Sequence, residues 1–193
     1  NLLRTNKTTL NIKYKSPTKT ASAQVETFYP DDIKLYAKYQ KRDTCFKLIN
    51  SQIAYIYPGS VRNEYLPSIM AKVQETKGLV IDFRCYPSDF IVFTLSEYLL
   101  PTAESFAKFS KGSITTPGLF TMSEELKVGK TNPSYYKGKI VIIINEKTQS
   151  SAEYHTMAFR TAPRAIVIGS TTAGADGNVS RFSLPGAGNT MIS

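Results

Sequence analysis

The most regular feature of the chain is a set of three short apolar runs. The longest covers residues 139–145 and has no polar residue between positions 140 and 144. This composition is typical of a strand buried on both faces of a parallel sheet. The runs at 78–84 and 164–169 have the same character, so we predict three strands of one sheet.

Apolar residues at helical spacing lie before the first of these runs and in the intervals between them. Before the first run, Leu66, Ile69 and Val73 fall on one helical face, and Pro67 is tolerable only in a first turn. Strands that alternate with helices imply right-handed crossovers, so the fold class is α/β with a mostly parallel sheet. The predicted helices cover residues 62–76, 89–100 and 151–161.

Other segments predict strands and loops around this core. Residues 45–49 and 53–57 have the apolar composition of two strands and predict a hairpin. Residues 106–129 should form an irregular loop or short hairpin over the sheet. The last 16 residues predict two strands around positions 185–188.

The start of the chain has a different character. Residues 10–14 alternate between apolar and polar and predict a strand, while 16–23, built from Ser, Thr, Lys, Pro and Ala, predict a linker or loop. We therefore interpret residues 1–28 as the remnant of a preceding module. Residues 29–193 would form the core, truncated at its C-terminal end in an unfinished strand.

Charge, apolar runs and cysteine spacing exclude several classes of function. The formal charge of +9 would favour nucleic acid if it were concentrated on one face, but only residues 1–25 are purely basic, and no nucleic-acid motif is present. No apolar run approaches the roughly 20 residues of a membrane span, and the first residues lack a signal-peptide pattern. Cys45 and Cys85 have neither metal-ligand spacing nor the count of a disulfide framework. We expect no nucleic-acid partner and no metal.

Ser150 is the first candidate for chemistry. It precedes helix 151–161, and the unpaired N–H groups and positive dipole end of a first turn can hold a developing oxyanion. A serine there is a candidate nucleophile. The spacing to Glu153 is equally that of a capping box, in which the two side chains bind each other's backbone N–H groups. Both interpretations stay open on spacing alone.

Further polar residues follow the other apolar runs. Asp82 and Arg84 fall near the end of the 78–84 run, where loops of an open parallel sheet meet ligands. The loop 170–178, STTAGADGN, follows the third run directly and should emerge near Ser150.

Three segments, VIDFRCYPSD, KTQSSAE and RAIVIGSTTAG, together resemble the tail-specific, or carboxy-terminal processing, serine proteases, including their tricorn-like branch. The likeness covers residues 45–193. It implies a ClpP/crotonase-like α/β core, no cofactor, a PDZ-like origin for residues 1–28, and a location in the bacterial periplasm or cell envelope.

The resemblance also implies roles for individual residues. Ser150 matches the nucleophile and Glu153 the functional glutamate, while Ser151 would supply the backbone N–H that follows the nucleophile. Thr172 matches the threonine that supports the site, and Gly174 the glycine after it.

Departures from the family pattern bear on activity. The general-base lysine should follow Gly174, but Ala175 stands there, so a serine–lysine dyad cannot form. Asp176 could replace the base if its pKa were raised, or it could bind loop N–H groups. The Gly-Gly pair that shapes the oxyanion hole corresponds to Ser88 and Asp89, where backbone freedom is lost and an acid would oppose an oxyanion.

The tricorn-like branch uses a histidine elsewhere in the chain as its base. His155 is the single histidine here, and five residues along a helix place it about 140 degrees round from Ser150. We therefore interpret His155 as structural.

Two functions remain in view. The first is a serine endopeptidase that cleaves a peptide or the C-terminal segment of an unfolded protein through an acyl-enzyme. The second is a peptide-binding or scaffolding homologue that lost its base. An acyl-CoA enzyme of the crotonase type rests on fold analogy alone, and the phosphate-binding motifs of nucleotide enzymes are absent.

Overall fold

The computed structural model describes residues 7–28, 44–184 and 188–192. The chain divides into two compact units, Tyr39–Gly177 and a smaller one made of Asn1–Lys38 with Asn178–Ser193. The predicted boundary at 28/29 borders residues 29–43, which lie outside the described residues. The PDZ-like origin of residues 1–28 stays a prediction.

The described strands and helices follow one another in this order: β1 (Thr9–Lys15), β2 (Thr20–Glu26), β3 (Phe46–Asn50), β4 (Ile53–Ile56), α1 (Leu66–Val73), β5 (Gly78–Asp82), α2 (Val92–Leu99), β6 (Glu104–Ala107), β7 (Ser110–Gly112), β8 (Phe120–Met122), β9 (Leu126–Val128), β10 (Lys139–Ile144), α3 (Ser151–Phe159), β11 (Ala165–Gly169), β12 (Ser180–Leu184) and β13 (Gly188–Ile192).

The larger unit is built on a five-stranded sheet with the order β11-β10-β5-β4-β3. Strands β4, β5, β10 and β11 are parallel, and only β3 runs antiparallel, as the partner of β4 in the predicted hairpin. The α/β class and the mostly parallel sheet are therefore confirmed. The three predicted helices also exist, but α1 has 8 residues where 62–76 was predicted, α2 has 8 where 89–100 was predicted, and α3 has 9 where 151–161 was predicted.

One face of this sheet carries the core. In register across β4, β5 and β10 stand Ala54, Leu79 and Ile140, followed two residues on by Ile56, Ile81 and Ile142, and all six are at most 1 % exposed. The apolar faces of the helices complete this core, with Leu66, Val73, Leu95 and Phe159 fully buried. Because side chains alternate along a strand, the opposite face carries Tyr55, Val80 and Val141, which are only half-buried.

The expectation that β10 is buried on both faces is therefore wrong for the described residues. Edge strand β11 departs further, because Ile166, Val167 and Ile168 are 57, 37 and 46 % exposed. Among the described strands it pairs only with β10, so its position in the sheet, and not its composition, sets its exposure.

Residues 104–128 follow the short-hairpin alternative of the prediction and not the irregular loop. Strands β6 and β9 pair antiparallel, and β7 pairs with β8 between them, so the segment is a hairpin within a hairpin. The prediction allowed for one short hairpin but not for two nested pairs, because the outer pair joins Glu104 to Val128, too far along the chain for a local pattern to reveal.

The smaller unit contains two antiparallel pairs, β1 with β2 and β12 with β13. Strands β1, β12 and β13 were expected, and residues 16–19 form a loop as predicted, but the prediction is wrong for residues 20–23, because β2 begins at Thr20. Ala21, Ala23 and Val25 stand opposite Tyr14, Ile12 and Leu10 of β1. Small residues hid this alternation, and the hydrogen bonds of β1 stabilise the strand.

In the part of the chain that the structure describes, every helix is too short or too polar to cross a membrane.

Candidate active site at the start of helix α3

Ser150 occupies the N-cap of α3, as predicted, just beyond the carboxyl end of β10. Its backbone has φ 52° and ψ −118°, and it is the one non-glycine residue in the described segments with a positive φ. An ordinary N-cap has extended dihedrals, and a non-glycine residue in such a sparsely populated region costs about 1–3 kcal/mol. Capping alone does not require this conformation, whereas strain of this kind concentrates at functional sites.

Ser150 and Glu153 also occupy the two positions of a capping box, in which Glu153 Oε2 accepts a 2.8 Å hydrogen bond from the Ser150 N–H. A capping hydroxyl acts as an acceptor, so its proton stays available to a base. The capping and nucleophile interpretations are therefore compatible at this residue.

Glu153 links helix α3 to the loop that follows β11. Its side chain is 8 % exposed, and its carboxylate accepts four hydrogen bonds. Burial raises the pKa of Glu153, but the hydrogen bonds outweigh burial and lower that pKa below its usual value. The donors are the Thr172 hydroxyl (2.6 Å) and the backbone N–H groups of Ser150 (2.8 Å), Gly174 (2.7 Å) and Ala175 (3.0 Å).

The structure thus brings Ser150, Glu153, Thr172 and Gly174 together. Gly174 has φ 66°, a left-handed conformation that residues with a Cβ rarely adopt. Ala175, at the position of the family's lysine, directs its N–H to Glu153 and carries only a methyl group. A single carboxylate therefore shapes the loop on which the missing base would stand.

Thr148 is a further residue of the site, and sequence reasoning missed it. Its side chain is fully buried, and its hydroxyl donates to the Phe83 carbonyl at 2.8 Å and accepts from the Asn145 N–H at 2.9 Å. Its own carbonyl accepts from the Ala173 N–H at 3.0 Å. Thr148 thereby joins the ends of β5 and β10 to the loop after β11. A threonine in a polar loop carries no local pattern that would reveal this.

Ser151 is the first residue of α3. Its backbone N–H donates to none of the acceptors found among the described residues, as expected for the first turn of a helix. Its hydroxyl lies 3.4 Å from Nδ1 of His155. The N–H is therefore available to a ligand beside Ser150.

Asp176 lies near Glu153, in the loop that follows β11. Its Oδ2 is buried, and no described residue hydrogen-bonds to that atom. Burial raises the pKa of Asp176, and the negative charge of Glu153 raises it further. The charge of Asp176 in turn adds to the effect of burial in raising the pKa of Tyr154. The loop N–H groups of Gly174 and Ala175 bind Glu153 and not Asp176.

Ser88 and Asp89 lie in the turn after β5, and both bind residues 58–63. The Ser88 N–H donates to the Pro58 carbonyl at 3.0 Å, and its hydroxyl donates to the Val61 carbonyl at 2.6 Å. Asp89 Oδ2 accepts from the Asn63 backbone and side-chain N–H groups, both at 2.9 Å, and these bonds lower the pKa of Asp89. The Ser88 N–H is thus engaged by a carbonyl in this conformation and does not point freely at a substrate.

His155 is fully buried inside the larger unit. Its Nε2 accepts a hydrogen bond from the Ile91 N–H at 3.1 Å, so the ring proton is on Nδ1, which donates to the Ser151 carbonyl at 2.5 Å. Burial lowers the pKa of His155 to about 4. Both ring nitrogens are engaged by backbone groups, which confirms the structural interpretation.

Asp82 and Arg84 bind each other at the end of β5. The buried Asp82 carboxylate accepts two hydrogen bonds from the Arg84 guanidinium, at 2.9 and 2.8 Å, and one from the Tyr55 hydroxyl at 2.6 Å. Burial raises the pKa of Asp82, but these bonds lower it overall.

Among residues 7–28, 44–184 and 188–192, no three His, Cys, Asp or Glu side chains are grouped as metal ligands.

Comparisons with known proteins identify a family and a shared fold. The profile of peptidase family S41 matches residues 52–193. No curated protein sequence matches the chain. Among solved structures, a protein of Parabacteroides merdae described as a candidate peptidase is 19 % identical, with a TM-score of 0.61, and the match covers 77 % of this chain and 49 % of that one.

Two other structures match nearly the whole chain. Mature CPAF complexed with lactacystin is 13 % identical over 97 % of this chain and 59 % of its own, with a TM-score of 0.58. The photosystem II D1 C-terminal processing protease is 13 % identical over 96 % of this chain and 49 % of its own, with a TM-score of 0.50. At these identities the likeness establishes the fold.

The chain therefore spans about half the length of the structures it matches. The family profile covers well over half of the chain and includes Ser150, Glu153 and the loop around Thr172. The resemblance drawn from the three sequence segments is confirmed: this chain belongs to peptidase family S41.

Proposed function

We propose that this chain carries the nucleophile of a serine-type endopeptidase of the C-terminal processing class, with Ser150 as the attacking residue. The observation that supports this most is the backbone of Ser150, held at positive φ at the start of α3 beside an unused Ser151 N–H. That geometry presents a hydroxyl and an oxyanion donor at the same helix end.

The proposed reaction has two steps. Ser150 Oγ attacks the peptide carbonyl carbon while a base takes its proton, and the Ser151 N–H holds the resulting oxyanion. The C–N bond then breaks as the base gives that proton to the leaving amine. This leaves an acyl-enzyme on Ser150. Water then attacks the ester and gives a proton to the base, and the base passes it to Ser150 Oγ as the ester bond breaks and the acid leaves.

Asp176 is the base that we propose from the described residues. A carboxylate is a weak base unless its pKa is raised, and burial together with the charge of Glu153 raises the pKa of Asp176. Its Oδ2 has no hydrogen bond among the described residues that would compete for a proton. Glu153 and Thr172 would position the loop that carries Asp176.

The substrate that we propose is an extended peptide or the C-terminal segment of an unfolded protein. The core would be of the ClpP/crotonase type, with residues 1–28 derived from a PDZ-like module, and the protein would act in the bacterial cell envelope. Membership of family S41 and the three motif segments support these proposals.

A fluorophosphonate probe tests the nucleophile, because it reacts with an activated serine hydroxyl. In the full-length protein we expect labelling of the peptide that contains Ser150, and none in Ser150→Ala. The matched control is Ser151→Ala, which keeps its backbone N–H and should still be labelled. Labelling that persists in Ser150→Ala would refute the assignment.

A test of the base follows in the same protein. Asp176→Asn removes the carboxylate with little change in shape, so peptide hydrolysis should fall about a hundredfold to ten-thousandfold. Glu64→Gln, which neutralises an exposed acid outside the site, is the matched control and should change hydrolysis less than about threefold. Equal rates in the wild type and Asp176→Asn would exclude Asp176.

A catalytically impaired, peptide-binding homologue is the second candidate. Two observations favour it: Ala175 stands where the family has lysine, and the Ser88 N–H is engaged by the Pro58 carbonyl. This function predicts no fluorophosphonate labelling at Ser150, together with peptide binding that is unchanged in Ser150→Ala.

A further inference from the structure

The amino ends of the parallel strands border two contiguous cavities, far from Ser150. The larger has a volume of about 1160 Å³ and the smaller about 500 Å³, and they share Lys77 and Lys139. Because β10 begins at Lys139 and Ser150 follows its carboxyl end, these cavities lie at the opposite edge of the sheet. We call the two together the amino-edge groove.

The charge of the amino-edge groove has one sign. Four cations line it, and no Asp or Glu does. None of the four takes part in the ion pairs found among the described residues. The cations are Lys77, Lys137, Lys139 and Arg164.

The backbone and neighbouring side chains hold these cations in place. The Lys77 N–H donates to the Gln52 carbonyl and the Lys139 N–H to the Lys77 carbonyl, both at 2.9 Å, which fixes two lysines at strand starts. Arg164 Nη1 donates to the Lys137 carbonyl at 3.0 Å. Unpaired cations on a concave surface favour an anionic ligand, and the backbone that carries them is already held by these hydrogen bonds, so little backbone ordering is lost on binding.

We propose that the amino-edge groove binds an acidic segment of a polypeptide, as a second contact separate from Ser150. The amide side chain of Gln52 and the amide oxygen of Gln74 also line it and suit a peptide backbone, whereas the Gln74 Nε2 donates to the Ser134 carbonyl at 3.2 Å. The choice of a polypeptide among polyanions rests on the proposed function, whereas the charge and shape of the groove do not.

Other polyanions fit the groove less well. A single-stranded nucleic acid needs open aromatic faces, but Tyr136 is 2 % exposed, and Lys137 Nζ stands 5.7 Å over the ring centre of Tyr135. A membrane surface is flat, whereas the groove is concave, so a flexible polypeptide can follow its surface more closely than a bilayer can.

Binding of a fluorescein-labelled deca-glutamate to full-length Ser150→Ala protein tests the proposal. The triple variant Lys77→Gln, Lys139→Gln, Arg164→Gln should weaken binding at least about tenfold, because three charge contacts are lost. The matched control removes the same charge with Lys13→Gln, Lys15→Gln and Lys19→Gln on the β1–β2 hairpin, and should weaken binding less than about twofold. Raising NaCl from about 50 to 200 mM should weaken binding to the unsubstituted groove.

A second variant covers the case in which Arg164→Gln disturbs folding through its bond to Lys137. Lys77→Gln with Lys139→Gln leaves that bond intact and should still weaken binding about threefold. No binding of deca-glutamate, equal losses in the groove and control variants, or equal binding of deca-glutamine would overturn the proposal. Tighter binding of a ten-nucleotide oligo-dT that the groove variant abolishes would overturn it in favour of nucleic acid.

The result of the deca-glutamate binding test does not depend on the result of the test of the proposed function. Deca-glutamate binding is measured without the Ser150 hydroxyl, so it can succeed where fluorophosphonate labelling fails, and the reverse also holds.

Discussion

The Thr172 hydroxyl donates a 2.6 Å hydrogen bond to Glu153, and this contact joins helix α3 to a loop 19 residues further along the chain. The same carboxylate binds the backbone N–H of Ser150. Glu153 is thereby the connection between the candidate nucleophile and the loop that carries Asp176.

Glu153→Gln tests that connection. The amide nitrogen of Gln cannot accept a hydrogen bond, so at least one N–H or hydroxyl loses its partner, and the free energy of unfolding should fall by about 1–3 kcal/mol. Hydrogen exchange at the Gly174 and Ala175 amides should accelerate. Glu64→Gln, which removes only an exposed 3.9 Å ion pair with Arg62, should change stability by less than about 0.5 kcal/mol. Unchanged exchange at both amides would contradict this role of Glu153.

The pKa of Glu153 adds a pH dependence with a definite sign. Because the folded state lowers this pKa, the stability contributed by the ionised carboxylate is complete above pH 4.5 and is lost as pH falls through the folded value. Urea denaturation should show a smaller acid loss of stability in Glu153→Gln than in the wild type. If the curves of stability against pH were parallel for the wild type and Glu153→Gln, Glu153 would contribute nothing to the pH dependence.

Thr148→Val should lower the reactivity of Ser150 through the loop that Thr148 holds, although Ser150 itself is unchanged. Valine matches threonine in shape but leaves the Phe83 carbonyl and the Asn145 N–H without their partner, which should cost about 1–3 kcal/mol of stability. Fluorophosphonate labelling of Ser150 should slow with it. Thr148→Ser keeps the hydroxyl and should restore labelling; if serine and valine behaved alike, the hydrogen bonds would not be the cause.

The positive φ of Ser150 predicts a stabilising substitution at the candidate nucleophile. Glycine adopts this conformation without strain and is a tolerable N-cap, so Ser150→Gly should be more stable than Ser150→Ala by about 1–2 kcal/mol in urea denaturation. At Ser151, inside the helix, the order should reverse, with glycine less stable than alanine by about 0.5–1 kcal/mol. The same order at both positions would show that Ser150 is not strained.

His155 should make the protein less stable between pH 6.5 and about 4. In that window the unfolded chain takes up a proton that the buried ring does not, so stability falls as pH falls, by about 3 kcal/mol in total. His155 is the single histidine, so the interval from about pH 5 to 6.5 reports on it with little carboxylate titration. His155→Phe should flatten the curve there, and an unchanged slope in this variant would refute the assignment.

Local patterns in the sequence determined much of this protein. Uninterrupted apolar runs predicted β5, β10 and β11, and helical periodicity predicted α1, α2 and α3, because both depend on neighbours within a few residues. The place of Ser150 at the start of α3 was equally readable, since a capping box spans only four residues.

Contacts between distant segments decided the rest. Strand β2, the nested hairpins of 104–128 and the exposure of β11 depend on which strand lies beside each of them, which composition does not encode. Thr148 became part of the site through a bond to Phe83, 65 residues away. Likewise the sequence placed a serine, a glutamate and a threonine in order, but only the folded chain joined them, because hydrogen bonds require distances and angles that separation along a chain does not define.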